Sequence, residues 1–196
     1  LEVMWAAERI GVYCTCLSSK LSATEADYII RDGRCRVLIA SRGIGAVAET
    51  LVPMTDDVSR YVVDGAVEGY AAYEPARDAQ SSDPIDDPIS GGIMLYSSGT
   101  TGQPKGVRHA LSDDPFGTNV SALVMLGQGL YGFTPDMVYL SPAPLYHAAP
   151  LRWSMAVQQL GGTVVVMEHF DAEQALADID RYHVTHAQFV PTHFVR

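Results

Sequence analysis

The chain has 196 residues, of which 47% are hydrophobic, enough for one sizeable core or for one domain and part of a second. The net charge of −10 argues against a nucleic-acid partner, because most of the surface would repel a polyanion. No apolar run is long enough to cross a bilayer and the first residues lack a signal-peptide pattern, so we expect a cytoplasmic protein whose membrane contact is peripheral at most.

Short apolar runs alternate with helical stretches along the chain. Several runs, such as "RVLIAS" and "TVVVME", are almost continuously apolar, which is typical of parallel strands covered on both faces. The runs begin roughly two dozen or more residues apart, which leaves room for crossover helices. The pattern predicts a doubly wound α/β fold with a mostly parallel sheet. The predicted strands are residues 12–18, 36–41, 60–64, 92–97, 137–141, 163–168 and 186–190.

Two helices have clear start signals. Ser22 and Glu25 form a capping-box pattern ahead of "ADYIIRD", and Asp171 with Gln174 forms a similar one. Residues 1–11 have a helical pattern that begins without a cap, and the final "VPTHFVR" ends where another helix should start. We therefore expect the chain to be part of a longer protein.

Two segments contain residue types that can bind metals. Cys14 and Cys16 lie in one predicted strand with no His or Cys partner at zinc-ligand spacing, so buried, reduced thiols are the favoured interpretation. Residues 75–90, "PARDAQSSDPIDDPIS", are rich in proline and aspartate and are interpreted as a surface connector. Metal binding by these aspartates is the alternative.

A first candidate for phosphate binding is "GIGAVA" at residues 43–48, which follows a predicted strand and matches the relaxed GxGxxA dinucleotide pattern. Asp64 lies 21 residues after Gly43, where an acid that binds ribose is expected. Against this, a whole βα unit precedes the motif, and Pro53 leaves the helix little room. A nicotinamide-dependent oxidoreductase is therefore a distant alternative, and an ordinary strand-to-helix turn explains the glycines equally well.

The second candidate is residues 96–107, "YSSGTTGQPKGV", which follow the apolar run "IML". The spacing is not that of a Walker A motif, because Lys105 is followed by glycine and not by Ser or Thr. Glycines nevertheless let backbone amides approach an anion, and the hydroxyl groups add further donors. The chain has eleven arginines but only two lysines, Lys20 and Lys105, so a lysine in this loop points to function. The stretch therefore predicts a phosphate-binding loop.

This loop resembles the signature loop of the adenylate-forming superfamily, which includes acyl- and aryl-CoA synthetases, luciferases and peptide-synthetase adenylation domains. Residues 140–150, "LSPAPLYHAAP", are similar to the family's next motif at the expected distance downstream. Further similarities in "AAERIGVYCTCLSSKLSATEADYIIRDGRCRVLIA", "GGTVVVME" and "FVPTHFVR" extend the resemblance over essentially the whole chain. The residues of these motifs are most similar to those of the fatty-acyl-CoA synthetases, and the length of the chain implies the central part of their N-terminal domain.

The resemblance implies an enzyme that joins a carboxylate to the α-phosphate of ATP, releases pyrophosphate, and passes the acyl group to coenzyme A. Lys105 would counter phosphate charge, Thr100 would help to hold Mg²⁺, and His147 would act at the acyl-carboxylate site. A histidine that merely caps a helix is the alternative for His147. The residues implied to wrap the β- and γ-phosphates are Ser97, Ser98, Gly99, Thr100, Thr101, Gly102 and Lys105.

The sequence also departs from the family pattern. His109 lies nearer to the loop than the usual histidine, and acids follow it. His193 corresponds to a segment near the acyl pocket, although its orientation is not given by the sequence. The adenine- and ribose-binding motifs and the C-terminal catalytic lysine are expected beyond Arg196, so we expect these residues alone to be inactive.

The expected architecture has two layers. Residues 1–133 would form one α/β subdomain that ends in the phosphate loop and its helix, and residues 134–196 would begin a second, similar one. Expected partners are a carboxylic acid, most simply a fatty acid, with ATP, coenzyme A and the remainder of the protein. An aryl-CoA ligase or another adenylation enzyme is the nearest alternative, because it would share the same motifs.

Overall fold

In a computed structural model of the protein, residues 1–97, 103–118 and 120–195 are described. The helices are α1 (Glu2–Arg9), α2 (Ala23–Asp32), α3 (Gly45–Leu51), α4 (Tyr73–Asp78), α5 (Ala122–Tyr131), α6 (Ala148–Gln159) and α7 (Ala172–Tyr182). The strands are β1 (Tyr13–Cys14), β2 (Val37–Ser41), β3 (Ser59–Val63), β4 (Ala71–Ala72), β5 (Gly92–Ile93), β6 (Leu95–Ser97), β7 (Lys105–Val107), β8 (Val138–Ser141), β9 (Thr163–Val166) and β10 (His186–Ala187).

These residues divide into two compact units. The loop-bearing unit comprises the described residues of Leu17–Asp86 and Tyr96–Arg108. The His147 unit comprises Leu1–Cys16, Asp87–Leu95 and the described residues from His109 onward. No helix in the described part of the chain has both the length and the apolar character needed to cross a bilayer.

The loop-bearing unit is built on three parallel strands in the order β2-β3-β4. Ala26, Ile30 and Leu51 bury one apolar cluster of this unit, and a second cluster is centred on Ala48 and Val62. The predicted capping box of α2 is confirmed. The Ser22 amide donates to the Glu25 carboxylate at 2.8 Å, and the Glu25 amide donates to the Ser22 hydroxyl at 3.3 Å.

The His147 unit contains the parallel sheet β10-β8-β9 and the parallel pair β1-β5. Fully or nearly fully buried side chains of β8 and α6, such as Leu140, Leu151 and Val157, belong to its apolar clusters. The start signal of α7 is also confirmed, since the Gln174 amide donates to the Asp171 carboxylate at 2.8 Å. The mixed α/β class with parallel strands is therefore as predicted.

The strand predictions differ from the structure mainly in length. Residues 12–18 and 186–190 were expected to be strands, but only Tyr13–Cys14 and His186–Ala187 are, because only these residues pair with a neighbouring strand. The segment 92–97 is two short strands, β5 and β6. β4 and β7 are short and exposed, and neither was predicted from the sequence.

Both cysteines of the "CTC" segment are half-buried thiols that are not part of a disulfide, as interpreted from the sequence. The Cys16 sulfur lies 3.7 Å from the Met4 sulfur, and burial raises the pKa of the Cys16 thiol. A thiol with a raised pKa has less thiolate at neutral pH, so this cysteine is poorly suited to nucleophilic chemistry.

Candidate active site

The two ends of the predicted phosphate loop lie on paired strands. Ser97 is the last residue of β6 and Lys105 the first residue of β7, and β6 and β7 form a two-stranded sheet. Both residues are exposed. Pairing of the strands brings the two ends of the loop together, as a loop that closes around an anion requires.

The central part of this loop lies outside the described residues. Ser98, Gly99, Thr100, Thr101 and Gly102 are its members, so their expected roles at the phosphates, and that of Thr100 at Mg²⁺, stay predictions.

Helix α2 holds both ends of the loop through two tyrosine hydroxyls. Before the loop, Tyr96 donates a 2.6 Å hydrogen bond to the Asp32 carboxylate. After the loop, Tyr28 donates a 3.2 Å hydrogen bond to the Pro104 carbonyl. Tyr28 and Asp32 are four residues apart on α2 and therefore lie on the same face of the helix. One helix face thus positions the entry and the exit of the loop.

The hydrogen bond between Tyr96 and Asp32 affects the pKa of the Tyr96 hydroxyl. Burial raises the pKa of Tyr96 well above its usual range, and the hydrogen bond to Asp32 raises it further. Both effects favour the neutral phenol, because a phenolate would be poorly solvated and would face a carboxylate. Tyr96 therefore stays a hydrogen-bond donor across the physiological pH range.

Lys105 has no competing partner in the described part of the chain. No hydrogen bond or ion pair joins its ammonium group to another described residue, and its side chain is exposed. A flexible ammonium group of this kind serves as a point charge for phosphate. Lys105 is thus available to an anionic ligand.

His147 lies at the junction between β8 and α6, in the His147 unit. It occupies the N-cap position of α6 in extended backbone geometry, but its side chain makes no capping hydrogen bond. Its amide donates to the Pro144 carbonyl at 3.2 Å, and its ring centroid lies 4.4 Å from that of Tyr146. The alternative role as a side-chain cap is therefore not realised, and the exposed imidazole is left for another partner.

His193 is held against aromatic side chains. Its ring stacks on Phe170 with a centroid distance of 4.1 Å, and Phe189 approaches edge-on at 5.9 Å. The Val190 amide donates to its Nδ1 atom at 3.4 Å. These contacts explain the residue as a packing element. His109, the departure noted after the loop, is exposed, and its backbone carbonyl accepts a hydrogen bond from the Tyr13 hydroxyl.

The alternative dinucleotide motif forms a compact turn. Gly43 lies in the 3-10 turn Arg42–Ile44, and α3 has only seven residues before a second 3-10 turn that contains Pro53. The Asp64 amide donates to the Glu74 carboxylate at 3.1 Å. The geometry is that of an ordinary strand-to-helix connection, as the second interpretation of the glycines expected.

Comparison with known proteins adds independent findings. The family model described as "AMP-binding enzyme" matches residues 1–196. A 4-coumarate–CoA ligase-like protein of Oryza sativa subsp. japonica is 32% identical over 180 residues, which cover 81% of this chain and 29% of that protein. The long-chain-fatty-acid–CoA ligase FadD13 of Mycobacterium tuberculosis is 27% identical over 181 residues, covering 87% and 33%. The chain spans about a third of the length of these relatives.

A solved structure has the same fold. It is the O-succinylbenzoate coenzyme A synthetase of Bacillus subtilis in complex with ATP and magnesium ion. The TM-score is 0.69 at 22% identity, with 98% of this chain and 37% of that chain covered.

Proposed function

Because the chain belongs to the AMP-binding enzyme family, we propose that the protein is an ATP-dependent acyl-CoA synthetase. A carboxylate oxygen attacks the α-phosphorus of ATP, and the bond to the β-phosphate oxygen breaks, which releases pyrophosphate. The thiol of coenzyme A then loses its proton and attacks the acyl carbonyl, and AMP leaves. The observation that carries the proposal is the loop whose two ends α2 holds, with Lys105 free of partners among the described residues.

The loop would supply binding and electrostatic positioning. Lys105 and the loop residues 97–102 would hold the β- and γ-phosphates, so that charge developing on the leaving pyrophosphate meets fixed donors. Because α2 restrains the loop ends, less ordering is left to be done when ATP binds.

Magnesium would accompany the nucleotide. Among the described residues no group of three or more His, Cys, Asp or Glu side chains could hold a metal ion. Mg²⁺ commonly binds through substrate phosphates and few protein ligands. Thr100 is the residue we propose beside it. The ion would neutralise phosphate charge, and the chain's own contribution would be to orient the phosphates.

His147 would act at the acyl carboxylate. Its imidazole is exposed, makes no capping bond, and stands where the amides of the first turn of α6 face outward. We assign it the task of orienting the carboxylate for attack on phosphorus. This role is a proposal that rests on the family motif and on the freedom of the side chain.

A fatty acid is the substrate class we favour, with an aryl acid as the second candidate because a coumarate–CoA ligase-like protein is among the relatives. The two-layer arrangement, with residues 1–133 and 134–196 in successive subdomains, remains part of the proposal. Since the relatives are about three times longer, we expect these 196 residues to be inactive by themselves.

The test is pyrophosphate release by the full-length gene product, with ATP, coenzyme A and a panel of fatty and aryl acids. Lys105→Met should reduce kcat/KM by roughly 10²- to 10³-fold, as loss of one charge-stabilising donor typically does. Lys20→Met removes the other lysine of the chain, which is exposed and distant in sequence, and should have no effect. His147→Ala should also lower kcat/KM, whereas His169→Ala, at a histidine with 89% side-chain exposure, should not.

No release of pyrophosphate with any acid would refute the synthetase assignment. Equal losses in Lys20→Met and Lys105→Met would refute the specific role of Lys105. A measurable affinity for NAD would instead revive the oxidoreductase alternative at residues 43–64.

A further inference from the structure

The loop-bearing unit contains a cavity to which the proposed reaction assigns no role. It lies between the C-terminal end of α2 and residues 54–59, which end at the first residue of β3. Its volume is about 620 Å³, within the roughly 300–1,000 Å³ of typical ligand pockets. This cavity, the arginine pocket, is lined by Arg31, Arg34 and Arg36, three of the eleven arginines of the chain.

Arg34 has a backbone conformation that normally favours glycine. Its φ of 51° lies in the left-handed region. The turn is a Schellman motif, because the Arg34 amide donates to the Arg31 carbonyl at 3.0 Å and the Cys35 amide donates to the Ile30 carbonyl at 2.9 Å. A side chain in this position costs free energy that glycine would avoid. An arginine that bears this cost points to a use for its side chain in the lining.

Two of the three guanidinium groups are unengaged within the described part of the chain. Arg34 and Arg36 are exposed, and no hydrogen bond or ion pair joins either guanidinium to another described residue. Arg31 is anchored, since its Nε donates to the Asp27 carboxylate at 3.0 Å and its guanidinium also donates to the Met54 carbonyl. A guanidinium presents five N–H donors in a planar fork that matches the oxygens of a phosphate. The pocket therefore offers two free forks beside a third that is fixed.

Few groups of the lining oppose an anion. Among its described residues Asp57 is the only acid. Burial raises the pKa of the Cys35 thiol, so this side chain stays neutral at physiological pH. The carbonyl groups at the end of α2 would repel an anion, but those of Ile29, Ile30 and Arg31 already accept backbone hydrogen bonds. With Arg31 paired, two arginines face one acid, so the lining is positive in a chain whose net charge is −10.

Part of the lining is apolar and firmly packed. Ile30 and Val58 are 3% and 6% exposed and belong to one apolar cluster of the unit, against which the half-buried Met54 packs. A phosphate ion alone would fill little of a cavity of this size and would leave these side chains uncovered. An apolar group attached to the phosphate would remove that surface from water. The pocket therefore suits a phosphorylated organic molecule better than a free ion.

We propose that the arginine pocket binds a small phosphate ester. Its phosphate group lies between Arg34 and Arg36, because two forks can share the oxygens of a dianion, whereas a carboxylate needs only one. Its apolar body covers Ile30, Met54 and Val58. The inference does not depend on the proposed function, since no residue of this lining belongs to the predicted phosphate loop.

Phenyl phosphate is the probe, and inorganic phosphate and phenol represent its two parts. Each is titrated by calorimetry into the full-length protein and into Lys105→Met, which removes the lysine of the predicted phosphate loop. Phenyl phosphate should bind both proteins equally. It should bind at least about 5-fold more tightly than inorganic phosphate, because its ring covers apolar surface. Phenol should not bind measurably.

Variants of the lining should change binding in opposite directions. Arg34→Gly should weaken binding of phenyl phosphate by about 10-fold or more, because it removes charge-assisted hydrogen bonds. It should still melt at or above the wild-type temperature, since glycine relieves the left-handed strain. Arg36→Met should also weaken binding, whereas Arg42→Met, at an exposed arginine of the same unit outside the lining, should not. Asp57→Asn should tighten binding by roughly 2- to 5-fold, because it removes a like charge.

Binding that is lost in Lys105→Met and kept in Arg34→Gly would place the probe at the loop and overturn the inference. Inorganic phosphate that binds as tightly as phenyl phosphate, or no binding of phenyl phosphate, overturns it as well. If Arg34→Gly lowers the melting temperature, the strain argument is wrong, and the comparison of Arg36→Met with Arg42→Met decides. Pyrophosphate release tests the synthetase separately, so either proposal can fail without the other.

Discussion

Replacing Tyr96 by phenylalanine tests whether α2 positions the phosphate loop. The change removes the 2.6 Å hydrogen bond to Asp32 and leaves the ring in place. Hydrogen bonds to charged groups contribute about 1.5–3 kcal/mol, but Asp32 is exposed and water competes for it, so we expect about 1 kcal/mol. Tyr28→Phe removes a 3.2 Å bond between neutral groups, for which about 0.5–1 kcal/mol is expected.

These energies should appear as weaker binding of ATP, because a released loop must be ordered again when the phosphates bind. A change of about 1.4 kcal/mol corresponds to a factor of ten. We therefore expect the KM for ATP to rise about 5-fold in Tyr96→Phe and about 2- to 5-fold in Tyr28→Phe, while the KM for the acid stays unchanged. The assay is pyrophosphate release by the full-length enzyme at varied ATP.

Tyr182→Phe is the matched control, because this tyrosine is 41% exposed in the other unit and its ring contacts Arg181. Unchanged KM values for ATP in both loop variants would refute the idea that α2 holds the loop. Equal increases in the KM for ATP and for the acid would also refute it, since they would point to general damage. In the double variant, additive energies would show that the two ends are held independently.

Three further predictions concern stability, measured by urea unfolding. Tyr139 is 2% exposed and its hydroxyl has no hydrogen-bond partner among the described residues, so Tyr139→Phe should be neutral or stabilising, by up to about 1–3 kcal/mol. Burial raises the pKa of Tyr139 above its unfolded value of about 10, so the free energy of unfolding should fall as the pH rises above about 10. Tyr139→Phe should reduce that loss of stability at alkaline pH. Ser154, 0% exposed and likewise unpaired among the described residues, should tolerate Ser154→Ala without loss. On α5, Gly127→Ala would place Cβ 2.5 Å from Phe133 and should destabilise by about 1–3 kcal/mol, whereas Gly129→Ala meets no atom and should stabilise by about 0.5–1 kcal/mol.

The strands that could be predicted from the sequence are those that contain a run of apolar residues. β2, β3, β8 and β9 agree with the predicted segments to within two residues at each end. β4 and β7 were missed because they are short and exposed, so that pairing with a neighbour defines them and not their own composition. Helix starts were predictable for a different reason, since the capping residues of α2 are three positions apart and bond locally.

Some residues of the candidate site were likewise predictable from the sequence and others were not. Lys105 and His147 lie in local motifs whose residue types indicate that they bind an anion or a carboxylate. Tyr28 and Asp32 were missed because their partners are 76 and 64 residues away along the chain, and nothing local indicates those contacts. Their spacing of four on a helix that is otherwise apolar on one face is the only signal that could have suggested a shared role.

The link between core and loop follows from the two faces of α2. Ala26, Ile29 and Ile30 are each no more than 4% exposed, so rotating the helix would return apolar surface to water. Hydrophobic packing of α2 therefore sets the direction in which the opposite polar positions, Tyr28 and Asp32, point. Since these two residues bond to Tyr96 and Pro104, the positions of the two ends of the predicted phosphate loop depend on the apolar residues of a helix that need not touch the nucleotide.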